Sequence, residues 1–250
     1  MKIVQLSDTH IGTLTDATLG FDVRRNFEFI LEEIVKEAPD LIVHTGDLCF
    51  DQPDPKIYQW IHQRLAATGL PFEVISGNHD DPEMISAAFG RTLQGKEYYY
   101  TLELAEHQLI FLDTTSGSIS QPQYEWLTSV LANAARKVLL FMHHPPIKMG
   151  VPFIDVHYAF EGSEQFCSLT DQYQGQLEIF CGHYHVARQV KRNNCTISMG
   201  PSTYFELNEF KEEFGIASSR IGYAVLETSA AQPTAVSYKY FKGFTLPLYA

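Results

Sequence analysis

Short apolar runs that each end in a cluster of Asp, Asn and His limit the fold of this chain more than any other feature. Residues 3–6, 41–44 and 72–75 are runs of strand length, with amphipathic stretches between them. Phe27, Ile30, Leu31 and Ile34 recur at helical spacing within residues 21–38, and Pro39 ends that helix. Ile57, Trp60, Ile61 and Leu65 mark a second helix over 57–67. The middle is richer in strands, with an antiparallel pair over 98–104 and 108–113 that turns near Glu106. A helix over 122–132 and strands over 138–142 and 177–181 follow, then tail strands at 197–199, 223–227 and 235–240. This alternation predicts an α/β fold of two packed sheets flanked by helices. Residues 205–220 carry mixed charge without a period, which suits a surface excursion and supports no element. No internal repeat, low-complexity tract or long linker interrupts the chain, so one domain over 1–250 is expected.

The clusters are Ser7-Asp8-Thr9-His10, Thr45-Gly46-Asp47, Gly77-Asn78-His79-Asp80, His143-His144-Pro145-Pro146 and Gly182-His183-Tyr184-His185. Open α/β sheets bind ligands at the carboxyl ends of their strands. One such cluster would mean little; five in succession are hard to explain as packing. In an extended chain residues i and i+2 point the same way. That spacing predicts that Asp8 and His10 face one target, and that His183 and His185 converge with Tyr184 turned away. Gly46, Gly77 and Gly182 each precede a candidate ligand, where glycine permits a tight turn and close backbone approach. Carboxylate, carboxamide and imidazole suit manganese, iron or zinc, and the lack of Cys in the clusters argues against a thiolate or iron–sulfur site.

A net charge of -12 disfavours tracking along a polyanion, so stable nucleic-acid binding is not expected. It leaves a small phosphate ester open, because bound cations reverse the charge locally. The four cysteines have no metal-binding spacing and read as reduced thiols. No apolar run reaches the length of a membrane span, and Asp8 precedes any apolar signal core, so a cytoplasmic location is expected. His44, His62, His107 and His157 read as structural or exposed, and Asp51 and Asp54 as carboxylates of a Pro-rich loop. Asp113 is a turn residue or a support for the site; Tyr98 and Tyr100 share one strand face and read as sheet packing. Tyr204 and Phe205 are candidates for the mouth of a cleft. Nothing in the pattern sets an oligomeric state.

In this order, D-x-H, G-D, G-N-H-D, H-H-P-P and G-H-x-H resemble the calcineurin-like metallophosphoesterases, from residue 1 to about 200. The resemblance implies a four-layer α/β/β/α sandwich of two mixed sheets. H-H-P-P combined with G-N-H-D is most similar to the class III cyclic-nucleotide phosphodiesterases and the glycerophosphodiesterases. By position, it implies one metal on Asp8, His10 and His185, a second on Asn78, His143 and His183, and Asp47 as the bridge. It favours His143 over His144 as ligand, leaving His144 to contact substrate or to pack. His79 would lie beside the scissile phosphate and assist the leaving group, while Asp80 would orient His79 or a ligand. Two divalent or mixed-valence ions would then create a bridging hydroxide that attacks phosphorus.

The substrate argument rests on charge. A monoester is largely a dianion and calls for an extra cation, whereas a diester is a monoanion. The segment Asp47-Leu48-Cys49-Phe50-Asp51 lacks the arginine that protein phosphatases of the superfamily carry, and Lys148 alone follows Pro146 closely. Small diesters such as 3',5'-cyclic nucleotides or glycerophosphodiesters are therefore expected. The alternatives are a phosphomonoesterase or nuclease on the same site, and a lipid-linked pyrophosphatase, which the intact His79 disfavours. A non-catalytic protein-binding scaffold is disfavoured by the full ligand set.

Overall fold

In the computed structural model, which describes residues 1–134 and 137–246, strand and helix alternate through the first third of the chain. The order is β1 (Lys2–Leu6), α1 (Val23–Glu37), β2 (Leu41–Thr45), α2 (Pro55–Ala67), β3 (Phe72–Ile75) and α3 (Pro82–Phe89). Next come β4 (Tyr100–Leu104), β5 (His107–Phe111), α4 (Gln121–Ala132), β6 (Lys137–Phe141), α5 (Pro152–His157), α6 (Ser163–Gln172) and β7 (Leu177–Cys181). The rest is strand: β8 (Arg188–Arg192), β9 (Cys195–Met199), β10 (Glu206–Leu207), β11 (Ile216–Ser218), β12 (Arg220–Glu227) and β13 (Ala235–Lys242).

The helices begin where a side-chain oxygen can take an orphan amide. Asp22 accepts from Arg25 N at the start of α1, which buries Val23, Phe27, Ile30, Leu31 and Ile34 along one stripe. Asp54, Asp81 and Ser120 cap α2, α3 and α4, and in each helix a proline occupies the first turn, where no amide donor is needed.

Two mixed sheets flanked by helices result, in the orders β13-β12-β1-β2-β3 and β4-β5-β6-β7-β9-β8. β1, β2 and β3 run parallel, as do β5, β6, β7 and β9, while the antiparallel strands lie towards the edges. Strands sandwiched between layers should be apolar on both faces, and β2 and β7 are buried at every position. Phe111, Phe141 and Phe180 stack across β5, β6 and β7 with ring centroids 5.3 Å apart, and both sheets contribute to one buried apolar cluster.

The sheets are joined at the edge that holds the polar clusters. Buried Gln5 Nε2 on β1 donates to Thr45 Oγ1 at 3.0 Å and to the carbonyl of Cys181 on β7 at 2.8 Å. The expected strands and helices fall within three residues of those observed wherever an apolar period existed. α3, α5, α6, β8 and the β10–β11 hairpin were not foreseen, because short or exposed elements leave little hydrophobic period to read. Among the described residues, no helix is long and apolar enough to cross a membrane.

Candidate metal centre

Each cluster lies just beyond the end of a parallel strand, and their donor atoms converge. His185 Nε2 is 3.2 Å from His10 Nε2 and 3.5 Å from Asp8 Oδ1. Asp47 Oδ2 is 3.5 Å from His10 Nε2 and 3.3 Å from His143 Nε2. Ligand atoms lie within 4.8 Å of one another in four groups: Asp8, His10 and His185; Asp8, Asp47 and His143; His10, Asp47 and His79; and His143, His144 and His183. Shared members make these one continuous cluster, with Asp47 at its joint. Asn78 sits in an exposed turn and faces the same cleft.

The side chains converge for a different reason from the one the spacing suggested. Asp8, His10, Asp47, His183 and His185 all have positive φ, between 44° and 72°, so the backbone there is left-handed and not extended strand. For non-glycine residues this is uncommon and costs about 1–3 kcal/mol each; such residues concentrate at functional sites. The loops are held by tight cross-bonding: Asp8 N donates to Gly46 O at 3.0 Å, His10 N to Asp47 O at 3.1 Å, and His183 N to Asp8 Oδ1 at 3.1 Å. Gly182 shows why no side chain is tolerated there, since a Cβ would stand 1.9 Å from Ser7 Oγ.

The hydrogen bonds assign the imidazole tautomers. A carbonyl can only accept, so His143 Nδ1–H donates to Thr45 O at 2.7 Å and His183 Nε2–H donates to Tyr158 O at 2.9 Å. The opposite ring nitrogens are thereby free to bind a cation, and such carbonyl partners fix ligand orientation. His143 Nε2 is buried without a hydrogen-bond partner, close to two carboxylates, which is the environment a metal ion fits. Burial alone would raise Asp8 and Asp47, but His185 beside the first and His143 beside the second hold both carboxyls well below the usual range. Burial would lower His143, yet Asp47 pushes it up to about 9. Burial brings His10 down to about 3 and His183 to about 4. One proton on His143 stands where the negative field would otherwise draw a cation.

A family model described as calcineurin-like phosphoesterase matches residues 1–187. The chain belongs to the calcineurin-like phosphoesterase family. It is 30% identical over 230 residues to a Fibrobacter succinogenes protein named "Probable cyclic nucleotide phosphodiesterase", covering 91% of this chain and 89% of that one. It is 31% identical over 197 residues to the Arcobacter nitrofigilis "Probable glycerophosphodiester phosphodiesterase GpdQ", covering 74% of this chain and 72% of that one. Among solved structures, a dimetal phosphatase from Danio rerio superposes with a TM-score of 0.70 at 12% identity, covering 98% and 99% of the two chains, a likeness of fold. Calcineurin-like phosphoesterases use a dinuclear metal centre, and this chain is a metallophosphoesterase.

The rest of the phosphoesterase site shows what sequence could not assign. Asp80 does not touch the His79 ring. Its buried carboxylate accepts from Gly77 N at 2.8 Å, Leu48 N and Cys49 N at 3.1 Å, and Tyr58 Oη at 3.2 Å, clamping the Asp47 loop to the Asn78–His79 turn. Burial and the charge of Asp47 raise Asp80 to about 6 against those donors. His79 instead donates its backbone N–H to Asp47 Oδ1 at 3.0 Å, and its ring stands 4.9 Å from that of His10. His144 Nδ1 lies 2.9 Å from Thr114 Oγ1, and its ring packs 4.2 Å from His183.

The secondary candidates sort cleanly. Asp113 accepts from Ser76 Oγ at 3.1 Å and Tyr98 N at 2.7 Å, tying the start of the Asn78–His79 loop to the chain before β4. His44 is structural: Gly46 N donates to its Nδ1 at 3.3 Å and its Nε2 meets Thr9 Oγ1 at 3.1 Å. His107 meets Thr228 Oγ1, and His62 packs between Phe72 and Phe89. Tyr100 stacks on Phe111 at 4.5 Å, as sheet packing requires. Tyr204 and Phe205 do line the cleft, a cavity of about 420 Å³, together with Asp47, His10, His79, His183, His185 and several apolar residues. No Lys or Arg among the described residues lines it. Lys148 is exposed, and Arg188 is bound to the carbonyls of Met149 and Gly150.

Proposed function

We propose that this phosphoesterase hydrolyses small phosphodiesters with two divalent or mixed-valence ions, manganese, iron or zinc, as its cofactor. Asp8, His10 and His185 would hold one ion and Asn78, His143 and His183 the other, with Asp47 available to both. The observation that carries this reading is the continuous buried cluster of imidazoles and carboxylates at the floor of a cleft that no Lys or Arg among the described residues lines. Two ions in such a donor set would supply Lewis acidity and activate a water nucleophile at neutral pH.

The chain's own groups do the rest. Thr45 O and Tyr158 O hold the His143 and His183 rings in their ligating tautomers, and the Asp80 clamp fixes the approach of Asp47. His79 is the only proposed catalytic group that is not a ligand; its imidazole donates a proton to the departing oxygen. His144, neutral because burial holds it well below the usual histidine value, orients His183. With no Lys or Arg among the described residues lining the cleft to meet the second charge of a monoester, a monoanionic diester is the better match. The relatives named for cyclic-nucleotide and glycerophosphodiester hydrolysis support the same class. The four free thiols support a reducing, cytoplasmic setting, and the shared apolar cluster supports one domain over 1–250.

Chelator-stripped protein should be inactive and regain turnover with manganese, faster on a nitrophenyl diester than on the matching monoester. A dominant monoester rate would overturn the diester assignment; turnover independent of metal would overturn the centre itself. Metal binding should also release protons. His143, raised to about 9, is protonated at neutral pH in the ion-free protein, and ligation through Nε2 must displace that proton. Calorimetry in buffers of different ionisation enthalpy should show release of about one proton from this ligand, with affinity falling about tenfold per pH unit below that value. Affinity unchanged between neutral and mildly acid pH would remove His143 from the ligand set.

A further inference from the structure

An unbroken arc of aromatic rings rises from the metal-cluster floor to the mouth of the cleft. Phe205 packs 4.7 Å from the His185 ring, Phe214 lies 6.0 Å from Phe205, Phe153 lies 5.7 Å from Phe214, and Tyr158 lies 5.5 Å from Phe153. The arc closes on the cluster again, because the Tyr158 carbonyl accepts from His183. It thus begins and ends on candidate ligands, and all four side chains line the same cleft.

Its outer members are exposed in a way that packing does not explain. Phe214 is 51% and Tyr158 52% exposed, although each packs a ring against Phe153. Leu19, from the short helical turn before α1, lines the cleft and is 52% exposed as well. Large apolar side chains left open around a concave site mark a surface that a ligand covers. The same wall offers a hydroxyl-rich group little: beyond the proposed ligands and His79, the polar side chains that line the cleft among the described residues are the tyrosines Tyr158 and Tyr204. Burying glycerol hydroxyls here would strip their water without replacing it.

We propose that this arc is a subsite for a flat apolar substituent on phosphorus, and that Phe214 and Phe153 set a preference for diesters carrying an aryl or nucleobase-like group over those carrying glycerol. The inference rests on the diesterase reading and narrows it. A flat ring seated against Phe214 and Phe153 gains stacking as well as burial. Phe214 stands in the loop between β10 and β11 and Phe153 in α5, so two separate excursions of the chain build the subsite.

Binding can be measured apart from turnover with monoanionic phosphinates, which carry the charge of a diester and have no ester bond to break. Calorimetry on the manganese-loaded full chain would compare dimethylphosphinate, methyl(2,3-dihydroxypropyl)phosphinate and methyl(phenyl)phosphinate. The phenyl compound should bind about 10–100-fold more tightly than either other. Phe214→Ala and Phe153→Leu should each bring that ratio down to about threefold or less, a share of the same aromatic contact. Equal affinities in the parent protein, or a ratio untouched by both substitutions, would overturn the subsite. Failure to hydrolyse any diester, with phenyl-selective binding intact, would instead strike the diesterase reading and leave the aromatic subsite standing.

Discussion

Asp47→Asn should lower kcat/KM on a nitrophenyl diester by about 10³–10⁴-fold, the equivalent of several kcal/mol of transition-state charge stabilisation. Asp47 joins the His10 side of the cluster to the His143 side, 3.5 Å from one and 3.3 Å from the other. The substitution keeps the shape of the side chain and can still accept the His79 N–H, so it isolates the charge. Elemental analysis should find fewer than two ions per chain after gel filtration, while circular dichroism stays that of the parent. Two tightly held ions with a loss below about tenfold would show that Asp47 is not the shared ligand.

The second large effect concerns His79. Its imidazole faces the cleft but joins the cluster only through Asp47 and His10, and it is held by its backbone rather than by its ring. If it protonates the departing oxygen, His79→Ala should cost about 10²–10⁴-fold on a diester with a basic alkoxide leaving group. The loss should shrink to about tenfold or less with 4-nitrophenolate, which leaves without a proton. A series of diesters with rising leaving-group pKa measures this as a steeper dependence in the variant. Parallel lines for parent and variant would assign His79 to positioning of Asp47, with no role at the leaving group.

How far such a site can be read in advance depends on what each residue contributes. Asp8, Asp47 and His183 were legible because the donor type itself is the signal, and strand ends gathered the donors on one edge. The way they converge was not legible. Positive φ at Asp8 and His10 is enforced by carbonyls of the neighbouring loop, Gly46 and Asp47, which lie 38 residues away or nearly so in sequence. The role of Asp80 depends on which backbone amides point at it, and those of Leu48, Cys49 and Gly77 are gathered by the fold rather than by residue type. The Tyr158 carbonyl is hidden for the same reason. Phe214 could not be placed, because the stretch around it has no period and its β10–β11 hairpin is only a few residues deep.

The position of β1 bears on the order in which the molecule can assemble. One of its edges is filled by β2, made soon after it, with Ile3 opposite Leu41. The other is filled by β12, with Lys2 opposite Glu227, and the family match ends at residue 187, well before that strand. Throughout most of synthesis the innermost strand of the first sheet therefore has an open hydrogen-bonding edge, the kind of surface that recruits other chains. Asp8 follows directly on that strand. Its loop is also clasped by Thr203 N on Ser7 O and Ser202 Oγ on Asp8 O, both supplied from almost two hundred residues downstream. A nascent chain can carry the N-terminal donors long before it can hold their geometry, because the contacts that clasp the Asp8 loop close across almost the whole length of the chain.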